Sequence, residues 1–128
     1  PAGAQVDKRM LSPLALAYLG DTVYDMYVRA FVVMQAAHTP NELHRLAARY
    51  ASAVGQAAAF RRVEPLLSEE ELGWFRRGRN AHSGTVPKSA SVADYHTATG
   101  LETLLGQLWI TGQDERLTAL MKRILEED

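Results

Sequence analysis

Two acidic side chains stand in largely apolar stretches of this chain, where carboxylates are candidates for metal chemistry. Asp21 lies in ALAYLGDTVYD, one helical turn before Asp25, and Glu102 lies in GLETLLG, within a long stretch that holds no other acid. A buried carboxylate without a partner is strongly unfavourable, so such groups are ion-paired, hydrogen-bonded, protonated or bound to metal. Mg²⁺ needs only one or two carboxylates, completed by water and substrate phosphate. The residues leave two interpretations open, which are salt bridges to arginine and a divalent-metal site.

A second group of chemically suited side chains is the basic segment RRGRNAHSGTVPK, residues 76–88. It contains four basic residues, one histidine and no acid, in a chain whose formal net charge is -1. Cationic and short polar donors on a glycine-containing loop suit the phosphates and 2′-hydroxyls of RNA. The plainer alternative is a solvated helix end, where arginine interacts favourably with the helix dipole. Composition alone does not decide between the two.

The elements that must position these residues are helices. Helix-start patterns occur at Ser12-Pro13, at Thr39 with Glu42, at Ser68 with Glu71, and at Ser91 with Asp94, and Gly112 is suited to a stop. They predict helices at 13–36, 40–63, 69–80, 92–111 and 114–126. No stretch alternates with a period of two, so we predict a single all-α domain, residues 1–128, with about five main helices.

The apolar faces of these helices predict how they pack. The first helix is apolar on two sides, which is typical of a buried helix, and its main stripe is Leu16, Leu19, Val23, Met26, Tyr27, Ala30 and Val33. In the second helix, the expected core stripe is Leu43, Leu46, Ala47, Tyr50, Ala51, Val54 and Ala58, and the expected solvent side is Arg45, Arg49, Ser52 and Gln56.

The glycines of the fourth helix point to a close helix crossing. Gly100 and Gly106 each cost about 1 kcal/mol of helix stability relative to alanine, so close packing against another helix is the expected reason for them. If the fourth helix crosses the first near Gly20, Asp21 and Glu102 can share one metal ion.

Several functional classes are disfavoured by the sequence. The chain has no cysteine, which excludes disulfide and thiolate chemistry. No apolar run approaches the ~20 residues that cross a bilayer, and the start lacks the apolar core of a signal peptide, so we expect no membrane contact and a cytoplasmic location. A glycine-rich nucleotide loop, HExxH and a Ser-His-Asp set are not recognisable, and the four histidines are scattered.

Three segments of this chain resemble the ribonuclease III family. ALAYLGDTVYD resembles the signature helix of its catalytic domains, in which an aspartate binds metal, and GLETLLG resembles the second catalytic helix. The intervening RRGRNAHSGTVPK, followed by DYHTAT, is similar to the Mini-III branch, whose short members lack the C-terminal double-stranded-RNA-binding domain. The resemblance extends from about Leu11 to Ile124.

This resemblance implies a homodimeric endoribonuclease that cuts double-stranded RNA with Mg²⁺, for which Mn²⁺ can substitute, leaving 5′-phosphate and 3′-hydroxyl ends. The branch is associated with the maturation of large-subunit (23S-type) ribosomal RNA precursors, with a ribosomal protein as a candidate partner, and a bacterial cytoplasm is expected rather than a plant organelle.

By position, the resemblance assigns metal binding and catalysis to Asp21 and Glu102, with Asp25 and Thr99 as candidates to support these ligands. The RNA-binding set is Arg76, Arg77, Arg79, Asn80, His82, Ser83, Thr85 and Lys88.

The chain departs from the longer members of the family where those carry further acids. It has Leu14, Ala17 and Thr99 at these positions, which predicts weak metal binding completed by water and RNA phosphate. His96 stands where arginine is expected, and Leu101 where phenylalanine is expected. Two other functions are alternatives. One is a ribonuclease III-type module that binds RNA without cutting it, whose hallmark would be loss of Asp21 or Glu102, and the other is a nucleotide phosphohydrolase, which would need more acids.

Overall fold

The computed structural model describes residues 11–35, 39–81, 86–88 and 90–126, and all regular structure in these ranges is helical. The helices are α1 (Pro13–Val33), α2 (Pro40–Ala51), α3 (Ala53–Val63), α4 (Glu69–Asn80), α5 (Val92–Ile110) and α6 (Asp114–Leu125), with a 3₁₀ turn at Glu64–Leu66. The all-α prediction is confirmed. Within the described ranges, no helix combines the length and the apolar character that crossing a membrane requires.

Four of the predicted helix starts have the side-chain cap that the sequence indicates. A backbone N–H donates to the side-chain oxygen of the residue three positions earlier at Ser12, Thr39, Ser68 and Ser91. At Ser68 the Glu71 carboxylate also accepts from the Ser68 N–H at 2.8 Å, which completes a capping box. Such caps are worth about 1 kcal/mol each, so the helix boundaries follow from local chemistry.

The predicted helix 40–63 is wrong in one respect, because it is broken into α2 and α3 at Ser52. Ser52 has extended backbone angles (φ -65°, ψ 160°), and its Oγ accepts a hydrogen bond from the Gly55 N–H at 3.1 Å. A Cβ atom on Gly55 would overlap the backbone carbonyl oxygens of Arg49 and Tyr50. The break turns the face of α3, so that Val54, expected in the core, is 61% exposed, and Gln56, expected in solvent, is only 5% exposed.

Helix α5 lies at the centre of the fold. It packs against α1, α3, α4 and α6, and its leucines Leu101, Leu104, Leu105 and Leu108 are fully buried. Other sides of the helix are buried as well, including Thr103, Gly106 and Gln107. It is therefore α5, more than α1, that is buried around most of its circumference.

Helix α1 buries one face and exposes the other, so the expectation that both faces are buried is wrong. Leu16 and Val23 of the predicted stripe are in the core, together with Tyr24, Val28 and Val32. Met26, Ala30 and Val33 of the same stripe are exposed. The reason is that α5, α2, α4 and α6, the described helices that contact α1, leave this side of it uncovered.

Glycines set the closest approach of α1 and α5. A Cβ atom on Gly20 would overlap the backbone carbonyl of Glu102, and one on Gly106 would overlap the carbonyl oxygen of Leu16. A Cβ atom on Gly100 would come within 2.6 Å of the Phe75 ring of α4. The close crossings expected from these glycines are thus confirmed, and the crossing of α1 and α5 is a backbone-to-backbone contact.

The Gly106→Ala variant should unfold more easily, since its methyl group has no space against the Leu16 carbonyl. We expect a loss of roughly 1–3 kcal/mol or more in the free energy of unfolding, measured by urea denaturation. Gly73→Ala in α4 is the matched control, because nothing lies within 4 Å of its added Cβ atom. The control should gain about 1 kcal/mol from helix propensity. Equal stabilities of the two variants would show that the crossing is not tightly packed.

Candidate functional site

The crossing of α1 and α5 places the carboxyl groups of Asp21 and Glu102 in hydrogen-bonding contact. Asp21 follows the contact glycine Gly20 directly, and the carbonyl against that glycine belongs to Glu102 itself. Asp21 is exposed and Glu102 is partly buried. Both residues line one cavity of about 460 Å³. The structure therefore brings together the two acids that the sequence pointed to from opposite ends of the chain.

The surroundings of Glu102 favour its protonated form. Burial, followed by the hydrogen bond and the negative charge of Asp21, raises the pKa of Glu102 from 4.5 to about 8, while a hydrogen bond from Gln56 acts in the opposite direction. A proton between the two carboxyl groups relieves their repulsion at neutral pH. A divalent cation would relieve the same repulsion with twice the charge.

The donor set of this cavity fits Mg²⁺. Among the residues that the structure describes, no cluster of three or more acidic or histidine side chains is placed to hold a metal. The two carboxylates of Asp21 and Glu102 match the one or two that Mg²⁺ takes from a protein when water and substrate phosphate complete its coordination.

The cavity that holds the two acids has three walls. One is the break between α2 and α3, at Ala51–Val54 with Gln56, and another is the face of α5 that carries Tyr95, Ala98 and Thr99. Pro87 and Ala90, from the connection between α4 and α5, form the third wall. The basic segment therefore reaches the edge of the acidic cavity.

Gln56 lines this cavity but is absent from the set of site residues predicted from the sequence. Its Nε2 donates to the Ala51 carbonyl oxygen at 3.1 Å and lies 3.5 Å from Oε2 of Glu102. The signal that could have identified it is Ser52 followed by Gly55, a second helix start inside an apparently continuous helix. Without the break, helical periodicity assigns Gln56 to the solvent side.

Asp25 and Thr99, the two candidates for a supporting role, occupy different places. Asp25 pairs with Arg29 at 2.9 Å and lines a separate groove of about 390 Å³ between α1 and α2. The salt-bridge interpretation thus describes Asp25, and its role at the metal stays a prediction. Thr99 is buried, lines the acidic cavity and donates its hydroxyl to the Tyr95 carbonyl oxygen at 3.1 Å.

The described part of the basic segment forms an exposed surface at the end of α4. Arg76, Arg77, Arg79, Asn80 and Lys88 are all exposed. The guanidinium of Arg77 lies 4.3 Å from the Trp74 ring centroid, and that of Arg79 lies 5.6 Å from the Phe75 ring centroid. Such contacts hold the cations against the helix while leaving them exposed to a ligand. His82, Ser83 and Thr85 lie outside the described residues.

Comparison with known proteins identifies one family. The family model described as Ribonuclease III domain matches residues 14–113, a range that includes Asp21, Glu102 and the basic segment. A protein named Mini-ribonuclease 3 from Clostridium tetani is 39% identical over 120 residues, which cover 93% of this chain and 80% of the relative. Proteins of the same name from Enterococcus faecalis and Symbiobacterium thermophilum are 44% and 45% identical, over 90% and 88% of this chain and 89% and 86% of the relatives.

A solved structure shares the fold. The crystal structure of a protein from Fusobacterium nucleatum superposes with a TM-score of 0.83 at 24% identity, covering 95% of this chain and 98% of that protein. The arrangement of helices around α5 is therefore found in an experimental structure as well.

The raised pKa of Glu102 predicts how the stability of the metal-free protein depends on pH. Because this pKa is higher in the folded than in the unfolded state, the stabilisation from the bound proton is complete below about pH 4.5 and is lost as the pH rises through about 8. The thermal midpoint in the presence of a chelator should fall across this window. Glu102→Gln cannot ionise and should flatten the slope, whereas Glu115→Gln, at an exposed site on α6, should keep it. Equal slopes in all three proteins would contradict the assignment.

Proposed function

The chain belongs to the ribonuclease III family, and on this premise we propose that it is a Mg²⁺-dependent endoribonuclease that cuts double-stranded RNA, with Mn²⁺ able to substitute. The observation that carries the proposal is the meeting of Asp21 and Glu102 in one cavity bordered by the basic segment. Precursors of large-subunit ribosomal RNA are the proposed natural substrate, supported by the resemblance to the Mini-III branch and by relatives named Mini-ribonuclease 3.

Asp21 and Glu102 would hold the cation in this reaction. When bound, Mg²⁺ supplies an activated water and offsets the charge on the scissile phosphate. Glu102 must give up its proton to serve as a ligand, so the cation would take the place of the proton that its surroundings favour. Hydrolysis would form a bond between a water oxygen and phosphorus and break the bond from phosphorus to the 3′ oxygen. The proton that the water loses would be balanced by the proton that the 3′ oxygen takes up, so the products would carry a 5′-phosphate and a 3′-hydroxyl.

The basic surface would position the duplex over the cavity. Arg79 is exposed near the end of α4 and Lys88 is exposed within the α4–α5 connection, where the adjacent Pro87 lines the acidic cavity. A phosphate backbone bound by these cations would thus lie beside Asp21 and Glu102. Recognition would depend on the shape and backbone of the RNA helix more than on base sequence.

The exposed face of α1 supports the proposal of a homodimer. Tyr18, Met26 and Val33 are 85%, 50% and 63% exposed on the helix that also carries Asp21. Apolar side chains in this arrangement are typical of a surface covered by a partner. A two-fold dimer would present two sites to one duplex, one for each strand. A cytoplasmic location and a ribosomal protein partner stay predictions.

The decisive experiment is cleavage of structured double-stranded RNA in Mg²⁺. The wild-type protein should cut, and both a chelator and the substitutions Asp21→Asn and Glu102→Gln should lower the rate on the order of a hundred-fold or more, because the metal contributes several kcal/mol to stabilising the transition state. Glu115→Gln is the charge-matched control and should cut normally. Cutting by Asp21→Asn and Glu102→Gln at the wild-type rate would disprove the metal-site assignment. Binding without cutting by the wild type would favour a binding-only module.

The basic surface predicts a specific change in the salt dependence of RNA binding. Arg79→Ala and Lys88→Ala should each weaken binding and reduce the slope of log K against log salt concentration by about 1, because one phosphate contact is lost. Lys122→Ala removes an exposed cation from α6 and should leave the slope unchanged. Fluorescence anisotropy with a labelled duplex measures all four proteins. An unchanged slope for Arg79→Ala and Lys88→Ala would favour a merely solvated helix end.

A further inference from the structure

Gln56 is a buried polar side chain whose surroundings resemble those of a residue that orients a metal ligand. It lies on α3, is 5% exposed and lines the cavity that contains Asp21 and Glu102. A buried amide is unfavourable unless its polar atoms are hydrogen-bonded, so its retention at such a position calls for a physical reason.

The break between α2 and α3 creates one partner for this amide. In a continuous helix the Ala51 carbonyl would accept from the Gly55 N–H, but Gly55 donates instead to the Oγ of Ser52 at 3.1 Å. The Nε2 of Gln56 takes the place of that donor at 3.1 Å from the Ala51 oxygen. The side chain thereby ties the end of α2 to the start of α3.

The second neighbour of Nε2 is the carboxylate of Glu102, 3.5 Å away on α5. Because both neighbours of Nε2 are oxygen acceptors, the amide must point its NH₂ group toward them, and the flipped orientation would place oxygen against oxygen. The orientation of Gln56 is therefore determined by the helix break and by the catalytic glutamate.

This orientation leaves the Oε1 of Gln56 buried and without a hydrogen-bond partner among the residues that the structure describes. An acceptor in that state destabilises the protein, so stability alone does not explain why a glutamine occupies this position.

We propose that Gln56 is a positioning residue of the ribonuclease: its NH₂ group, anchored on the Ala51 carbonyl oxygen, holds the Glu102 carboxylate in the orientation that binds the cation. This inference rests on the proposed function, because it requires a divalent cation between Asp21 and Glu102. With this role for Gln56, the site contains an amide that orients a ligand in addition to its two acids, and the α2–α3 break is part of the active site.

Gln107 provides a matched control within the same fold. It is also a buried glutamine, 1% exposed, with an unpaired Nε2 among the described residues. It lies on α5 and does not line the cavity of Asp21 and Glu102. Gln56→Leu and Gln107→Leu therefore remove the same group from equally buried places, only one of which faces the acids.

The test measures Mn²⁺ binding directly, by loss of the free-ion electron paramagnetic resonance signal, in protein that contains no RNA. Gln56→Leu should bind Mn²⁺ at least about ten-fold more weakly than the wild type, as is typical for residues that orient metal ligands. Its thermal midpoint without metal should stay close to that of the wild type, because removal of the unpaired Oε1 offsets the loss of the Nε2 hydrogen bonds. Gln107→Leu should bind Mn²⁺ as the wild type does.

In cleavage assays, Gln56→Leu should need at least about ten-fold more Mg²⁺ for half-maximal rate and should recover much of the wild-type rate at saturating Mg²⁺. A smaller change in Mn²⁺ affinity for Gln56→Leu, or an equal change for Gln107→Leu, would overturn the inference. If Gln56→Leu does not fold, Gln56→Asn carries the same expectation, because its shorter side chain cannot reach both neighbours. Failure of the wild type to bind Mn²⁺ and to cut RNA would overturn the proposed function instead.

Discussion

The contact on which the rest of the site depends is the crossing of the α1 and α5 backbones. Gly20 lies against the carbonyl of Glu102, and Gly106 lies against the carbonyl of Leu16, with no side chain between the helices at either point. The distance between the helix axes is therefore set by backbone atoms. Because Asp21 is adjacent to one contact glycine and Glu102 is the residue that this glycine touches, their carboxyl groups meet as a consequence of the packing itself.

Two partly or fully buried acids in this protein show how the neighbouring group decides the role of a carboxylate. Glu71 accepts two hydrogen bonds from Arg116, at 2.8 and 2.9 Å, and this partner lowers the pKa of Glu71. Glu102 has an acid as its neighbour, and burial together with that acid raises its pKa to about 8. The first arrangement is a satisfied structural ion pair. The second is a pair of carboxyl groups whose mutual repulsion is relieved by a proton or a cation, and such a pair is suited to bind a metal ion.

The break at Ser52 connects this electrostatic condition to the rest of the fold. It frees the Ala51 carbonyl, buries Gln56 and directs the amide of Gln56 toward both that carbonyl and Glu102. It also forms one wall of the cavity that Pro87 and Ala90 line as well. An interruption of one helix therefore places a hydrogen-bond donor beside a carboxylate on another helix.

Local chemistry in the sequence determined the helix starts, marked Asp21 and Glu102 as unusual acids, and led to the expectation of a close crossing at Gly20 and Gly106. These features can be recognised from the sequence because caps, charges in apolar runs and helical glycines act over a few residues. Tertiary structure alone decided which face of α1 is covered and that Gln56 is buried, whereas the ion pair of Asp25 with Arg29 is a local contact one turn apart within α1. A helix with apolar residues on several sides does not specify which side its neighbours will cover. The covered side is set by the packing around α5, which contacts α1, α3, α4 and α6.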